Sequence, residues 1–142
     1  MPEVINSQRK IRLDKASIER FARSLVPAIS ETRGRVFTVA FISDARMKQL
    51  NSAFRGKNST TDVLSFPYEA DEFDITEDSL GDIAISAEQA HKQAAENNLS
   101  LESEIKQLML HGVLHLCGYD HETDDGEMNA RELELRESLG IT

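Results

Sequence analysis

The sequence predicts an α+β fold in which a small, mixed four-stranded sheet packs with about five helices. Short β-rich runs, such as residues 36–42, alternate with stretches whose apolar residues recur at helical spacing. Three helical patterns follow the last of these runs without an intervening strand, giving the order β-α-β-α-β-β-α-α-α. The length of 142 residues, 39% of them hydrophobic, is enough for one core, so residues 1–142 are expected to form a single domain.

In the first third of the chain, the sequence predicts a strand, a helix and a second strand. The first strand begins at Val4 and reaches about Ser7. Asp14 is a good N-cap for a helix with apolar residues at helical spacing, and Pro27 is expected to kink this helix or end it early. Residues 36–42 are rich in β-branched and aromatic residues and form the second predicted strand.

The second predicted helix begins at a cap, either Ser43 or Asp44, and runs to about Phe54. Its apolar residues recur every three or four positions, which places Met47, Leu50 and Phe54 on the face toward the core.

The second half of the chain begins with a strand that ends at Pro67 or lies at a sheet edge, because proline cannot donate to a ladder. Residues 69–79 contain six acids and are predicted to form an exposed loop. The later predicted elements are a strand over residues 81–86 and helices over 87–97, over 101–117 and to about 140.

Charge is distributed unevenly along the chain. Residues 1–57 hold 12 Lys+Arg and 5 Asp+Glu, whereas residues 58–142 hold 4 and 20, for a net charge of −9. One basic face could attract nucleic acid, although solvated charge on amphipathic helices explains the pattern equally well. A single cysteine excludes an intramolecular disulfide, and no apolar run approaches the roughly 20 residues of a membrane helix. We therefore expect a cytoplasmic protein without membrane association.

Three of the four histidines lie within residues 111–121. His111 and His115 would share one face of a helix, and two histidines alone at this spacing are more often core residues than ligands. Gly118 can end the helix in the left-handed conformation and bring His121 back toward the pair. We predict that these three histidines bind one metal ion and leave a ligand position open, as in catalytic zinc sites. Zinc is preferred, but iron, nickel and copper also accept imidazole.

The spacing H-x-x-x-H-x-x-G-x-x-H is the ligand frame of the metzincin peptidases, with one departure. Those enzymes carry a general-base glutamate directly after the first histidine, where this chain has Gly112. The sequence therefore predicts a zincin-like domain without the peptidase base. Nearby, Cys117 is expected to be a core residue and His91 a surface residue. Asp120 either orients a ligand histidine or caps the turn.

With these motifs the chain resembles the YbeY endoribonuclease family. Residues 111–121 match the family signature H-G-x-L-H-L-x-G-Y-D-H at every fixed position. Residues 54–57 and 61–67 match its F-R-G-K and T-[DN]-V-L-S-F-P segments, and residues 81–86 match its G-D-I-x-I-S strand. Residues 58–60, Asn-Ser-Thr, depart from the more usual Asp-Lys-Pro, which removes a cation near the site.

The resemblance implies a zinc-dependent, single-strand-specific endoribonuclease that acts in 16S ribosomal RNA 3′-end maturation and ribosome quality control. It implies that His111, His115 and His121 bind the metal and that Arg55 stabilises the phosphate. Arginine suits that role because its planar fork binds phosphate by two charge-assisted hydrogen bonds. The implied partners are single-stranded RNA, a 16S rRNA precursor, and the ribosome or small-subunit assembly proteins.

Two other functions stay open at the level of the sequence. A metallopeptidase-like hydrolase would use the same ligand frame, but it would need a general base from elsewhere in the chain. A non-catalytic ribosome-biogenesis binding module would use its zinc only to hold the fold together, and this would leave Arg55 without a catalytic role.

Overall fold

A computed structural model describes residues 2–68, 78–120 and 122–141. In this part of the chain, one sheet is formed by the strands β1 (Glu3–Asn6), β2 (Val36–Ile42), β3 (Val63–Pro67) and β4 (Ser79–Ser86). The strand order is β1-β2-β4-β3; β1, β2 and β4 are parallel, and β3 runs antiparallel to β4. The predicted mixed sheet is confirmed, with β3 and its Pro67 at an edge.

The described helices follow the predicted order. They are α1 (Lys15–Ala28), α2 (Asp44–Arg55), α3 (Ala87–Glu96), α4 (Leu101–Leu116) and α5 (Glu127–Leu139), with a 3₁₀ turn at Ser30–Thr32. Side chains cap the first four helices, since each accepts a hydrogen bond from a backbone N–H of the first turn: Asp14, Ser43, Ser86 and Ser100. None of the helices in the described ranges is long and apolar enough to cross a membrane.

The sheet is covered on both faces. Ile83 and Ile85 of β4 belong to the larger hydrophobic cluster, which includes the buried residues of α1 and α4. Ala84 lies between them in the sequence and joins a smaller cluster with Met47 of α2. Because neighbouring residues of a strand point to opposite faces, α4 and α2 lie on opposite sides of β4. Helix α4 therefore packs against β4, an inner strand of the sheet, on the face opposite α2.

Two predicted details are wrong, and a third cannot be compared with the described residues. Phe54 does not lie on the inner face of α2: it is 67% exposed, because only Met47 and Asn51 of that helix are buried and its last turn faces a cleft. Strand β4 begins two residues before Gly81, since Ser79 pairs with Val36 of β2. Of the predicted acidic loop, residues 69–77 lie outside the described residues.

Candidate functional site

Helix α4 places His111 and His115 side by side. The Nε2 atoms of the two rings lie 3.1 Å apart, and the ring centroids are separated by 4.7 Å. The residues of α4 on either side of the pair are buried, whereas both histidines are half-buried. Because residues four apart share one helix face, this face opens to solvent while the residues next to the two histidines in the sequence are enclosed by the core.

Glu132 of α5 contacts the other nitrogen of His111. Its Oε1 lies against His111 Nδ1, and only 14% of the Glu132 side chain is exposed. A carboxylate here accepts the Nδ1–H, so the neutral imidazole keeps its lone pair on Nε2, the nitrogen that faces His115. Metal-binding histidines are usually oriented by a carboxylate in this way. The sequence did not single out Glu132, because it is one of several glutamates on α5.

The geometry of the histidine pair suits a metal ion. Two nitrogens at about 2.0–2.1 Å from one tetrahedral ion lie roughly 3.4 Å apart, close to the observed 3.1 Å. The third predicted ligand, His121, lies outside the described residues. Within the described ranges, no group of three His, Cys, Asp or Glu side chains is placed to hold an ion. The distance between the two nitrogens is compatible with a shared metal ion, and metal binding by His111, His115 and His121 stays a prediction.

The two histidines open into a cleft of about 930 Å³. Its walls come from the end of α2, the loop after α2, strand β3 and the turn after α4, and they include Arg55 and Lys57. Both of these cations are exposed. The cleft also contains acidic residues: Asp62, Asp120 and Glu122. The structure thus brings Arg55 into the same cleft as the histidine pair, although 56 and 60 positions separate them in the sequence.

The loop that carries Lys57 is held in place by partly buried polar contacts. Asp44, at the start of α2, accepts hydrogen bonds from Thr60 at 2.5 Å, Ser86 at 3.0 Å and Gln89 at 3.2 Å. Burial disfavours the Asp44 charge, but these hydrogen bonds outweigh it and lower the pKa of the carboxyl below its ordinary value. Asn51 donates to the Ser59 carbonyl at 2.8 Å. The loop is therefore anchored at its base.

Gly112, next to His111, faces the sheet. A Cβ at this position would lie 2.9 Å from the Cδ1 and Cγ2 atoms of Ile83, which is fully buried in β4. Helix α4 can approach the sheet this closely only because residue 112 has no side chain. Ser65 of β3 also donates to the Gly112 carbonyl at 3.3 Å. The Cβ of a glutamate, as in the peptidases, would clash with Ile83 here, and it would lie on the sheet side of α4 and not in the cleft.

The turn after α4 is held by an ion pair. Gly118 has a φ of +103°, and the Tyr119 hydroxyl after it donates to Glu31 at 2.7 Å. Arg131 of α5 binds both oxygens of Glu31 at 2.9 Å. These hydrogen bonds, those from Arg131 foremost, lower the pKa of Glu31 to about 2. The hydrogen bond to Glu31 raises the pKa of Tyr119, so its hydroxyl stays a donor.

The structure also shows the surroundings of three residues that the sequence singled out near the histidines or as a fourth histidine: Asp120, Cys117 and His91. Asp120 accepts from the backbone N–H of Glu122 at 3.0 Å, as expected for a cap of the turn. Cys117 is half-buried against the larger cluster, and burial raises the pKa of its thiol to about 11. His91 is exposed on α3, as predicted.

The chain is similar to proteins named as endoribonucleases. The family model described as Endoribonuclease YbeY matches residues 3–140. Proteins named Endoribonuclease YbeY are 38% identical in Thermodesulfovibrio yellowstonii, covering 94% of this chain and 92% of the relative, and 37% identical in Helicobacter pylori, covering 96% and 91%. The solution structure of TM1509 from Thermotoga maritima is 30% identical, with a TM-score of 0.64 over 97% of this chain and 89% of that chain.

Proposed function

This chain belongs to the YbeY endoribonuclease family, and on that basis we propose that it is a zinc-dependent endoribonuclease specific for single-stranded RNA. We propose further that it acts in the cytoplasm on a 16S ribosomal RNA precursor, in 3′-end maturation and ribosome quality control. Its partners would be the ribosome or small-subunit assembly proteins. The relatives are endoribonucleases by name. The finer assignments rest on the signature at residues 111–121.

One observation carries the proposal: a pair of imidazole nitrogens 3.1 Å apart opens into a cleft that an exposed arginine also lines. A zinc ion held there would supply Lewis-acid activation of water near neutral pH. His111 and His115 would bind it, with His121 as the expected third ligand. Glu132 keeps the His111 ring in the tautomer that binding requires.

Arg55 has the chemistry to bind the scissile phosphate. Its guanidinium presents parallel N–H donors that match two phosphate oxygens and stabilise charge that develops in the transition state. Arg55 is the last residue of α2, exposed and at the wall of the cleft, so the backbone of a single strand could reach it. Its charge and its position in the same cleft as the histidines support a role in the reaction rather than in the fold.

The packing of Gly112 disfavours the peptidase alternative. A general base at this position is absent from the sequence, and the contact with Ile83 disfavours any side chain there. A purely structural zinc site is disfavoured because structural sites are closed, whereas this histidine pair is half-buried at an open cleft.

The proposal is tested by cleavage and metal content measured on the same preparations. Zinc-loaded protein is incubated with a single-stranded RNA, the corresponding duplex and casein, beside the variants His115→Ala and His91→Ala. His91 is the matched control because it is an exposed histidine outside the cleft.

We expect cleavage of the single strand only, about one zinc per monomer, and loss of both properties in His115→Ala but not in His91→Ala. Casein hydrolysis would support the peptidase instead. Stoichiometric zinc in a protein that cleaves neither RNA nor casein would support the binding module. Full zinc content in His115→Ala would reject the metal site.

A further inference from the structure

We propose that Phe54 and Phe66 form a stacking platform for a nucleobase of the bound RNA. The proposal deepens the proposed function and rests on it, since it presumes that single-stranded RNA enters this cleft. It gives a base-binding role to two phenylalanines of the F-R-G-K and T-[DN]-V-L-S-F-P segments, beside the proposed phosphate-binding residue Arg55.

The exposure of Phe54 is the first observation. A phenylalanine that is 67% exposed leaves most of an apolar ring in water, and burial against a ligand would remove that unfavourable contact. Its neighbours on α2 offer no core to enter, because the last turn of the helix faces the cleft. The ring is therefore available on the surface.

The second observation is the support beneath this ring. The Phe54 and Phe66 ring centroids lie 5.2 Å apart with an interplanar angle of 72°, an edge-to-face contact. Phe66 is half-buried on strand β3 and packs against the smaller hydrophobic cluster, so it is anchored in the sheet. The contact fixes the position of Phe54 and leaves its outer side open to a flat ligand.

The third observation is the charge beside the platform. Arg55 follows Phe54 directly, Lys57 is two positions further on, and all of these residues line the cleft of His111 and His115. Nucleic acid alternates flat bases with phosphates, so adjacent aromatic and cationic side chains match its chemistry. Stacking accepts any base, because every base has a π-face. The platform would therefore favour single strands, whose bases are unpaired, without selecting a sequence.

A binding experiment separates stacking from catalysis. The affinity of wild type, Phe54→Leu and Phe54→Trp is measured for a 2′-O-methylated single strand, whose integrity is checked after each titration. The same titrations use an oligomer of equal length with abasic residues. Leu133→Ala is the control, since Leu133 is 53% exposed on α5 and lies outside the cleft.

We expect Phe54→Leu to weaken binding of the base-containing strand by roughly 5- to 150-fold, the range of one lost stacking contact. Phe54→Trp should bind at least as well as wild type, and Leu133→Ala should bind equally. On the abasic oligomer, Phe54→Leu should match wild type, because only phosphate contacts are left. Thermal denaturation should show Phe54→Leu to be folded.

Two results would overturn the platform. In the first, Phe54→Leu binds the base-containing strand as tightly as wild type. In the second, Phe54→Leu loses equal affinity for both oligomers. If wild type binds no single strand at all, the proposed function fails first, and that result is distinct from the other two.

Discussion

The ring nitrogens of His111 and His115 approach each other because one turn of helix separates them and the helix is held rigidly by buried neighbours. The site then depends on two residues from elsewhere: Glu132, which fixes the tautomer of His111, and Arg55, which supplies positive charge at the other wall. If the histidine pair holds a metal ion and Arg55 binds the phosphate, as proposed, these two tasks belong to different residues and can be separated by substitution.

This separation predicts that Arg55→Lys slows RNA cleavage without changing zinc binding. Lysine keeps the charge but loses the planar fork, so the variant should fold, bind zinc and cleave RNA about a hundred- to a thousandfold more slowly. Single-turnover cleavage of a short single strand by zinc-replete protein measures the effect. Arg46→Lys is the control, because Arg46 is exposed on the same helix outside the cleft. A rate for Arg55→Lys within about threefold of wild type would show that Arg55 is not the phosphate-binding residue.

The contact of Glu132 with His111 predicts that substitutions of Glu132 lower the affinity for zinc. Glu132→Ala removes the acceptor of the His111 Nδ1–H, so zinc affinity should fall roughly 10- to 100-fold. Glu132→Gln keeps an oxygen acceptor and should lose less. Competition with a zinc chelator measures the affinity. Glu137→Ala, an exposed glutamate on the same helix, should bind zinc as wild type does. Equal affinities for wild type and Glu132→Ala would remove Glu132 from the site.

At the scale of elements, the close packing of α4 on β4 limits which side chain α4 can have next to His111. The helix lies against Ile83 at Gly112, and the metzincin peptidases carry their general-base glutamate at the corresponding position of their histidine motif. The packing of one helix against one strand thus removes a peptidase base and fixes the direction of the histidine face.

The contact between Gly112 and Ile83 predicts that Gly112→Ala changes the free energy of unfolding in opposite directions in the wild-type and Ile83→Ala backgrounds. Gly112→Ala should destabilise the protein by about 1–3 kcal/mol through overpacking against Ile83. In an Ile83→Ala background the clash is absent, so the same substitution should stabilise by up to about 1 kcal/mol through helix propensity. Urea unfolding of the four proteins measures both values. Equal costs in the two backgrounds would contradict the close approach.

The ion pair between Glu31 of the 3₁₀ turn and Arg131 of α5 predicts that the stability of the fold decreases at acid pH. The pKa of Glu31 is about 2 in the folded protein against an ordinary 4.5, so its stabilisation is present above pH 4.5 and is lost as pH falls toward 2. The shift corresponds to about 3 kcal/mol, which solvent screening of this partly exposed pair reduces to roughly 1–2 kcal/mol.

Arg131→Gln should therefore be less stable than wild type above pH 4.5, and the difference should shrink between pH 4.5 and 2. Urea unfolding across this range, with both proteins stripped of metal, measures the difference. A gap that stays constant through the window would mean that the Arg131–Glu31 pair does not produce it.

At the scale of the whole molecule, charge is segregated along the chain but mixed in the cleft. Arg55 and Lys57 come from the basic first 57 residues, whereas Asp62, Asp120 and Glu122 come from the acidic remainder. A phosphate chain would be attracted to one wall and repelled from the other. The position of Arg55 and Lys57, rather than the net charge of −9, would therefore determine where a phosphate chain binds in this cleft.

This distribution predicts the salt dependence of RNA binding. Affinity should fall as salt rises through counterion release, and Lys57→Glu should weaken binding and reduce the slope by about 0.7 per lost phosphate contact. Lys92→Glu makes the same charge change on exposed α3, outside the cleft, and should keep the wild-type slope. Identical slopes for Lys57→Glu and wild type would show that Lys57 makes no phosphate contact.

The sequence by itself determined the order of the strands and helices, helix caps such as Asp14, and the spacing of His111 and His115. These features depend on residues within a few positions of each other, where periodicity and capping act directly. The family signature is local in the same sense. The role of His121 stays a prediction from that spacing.

Only the tertiary structure decided which distant residues meet. The contact of Glu132 with His111 spans 21 positions, and the contact of Gly112 with Ile83 depends on how closely a helix lies on a sheet. The exposure of Phe54 was predicted wrongly for the same reason. Periodicity identifies the apolar face of a helix, but the length over which that face is covered depends on the elements packed against it.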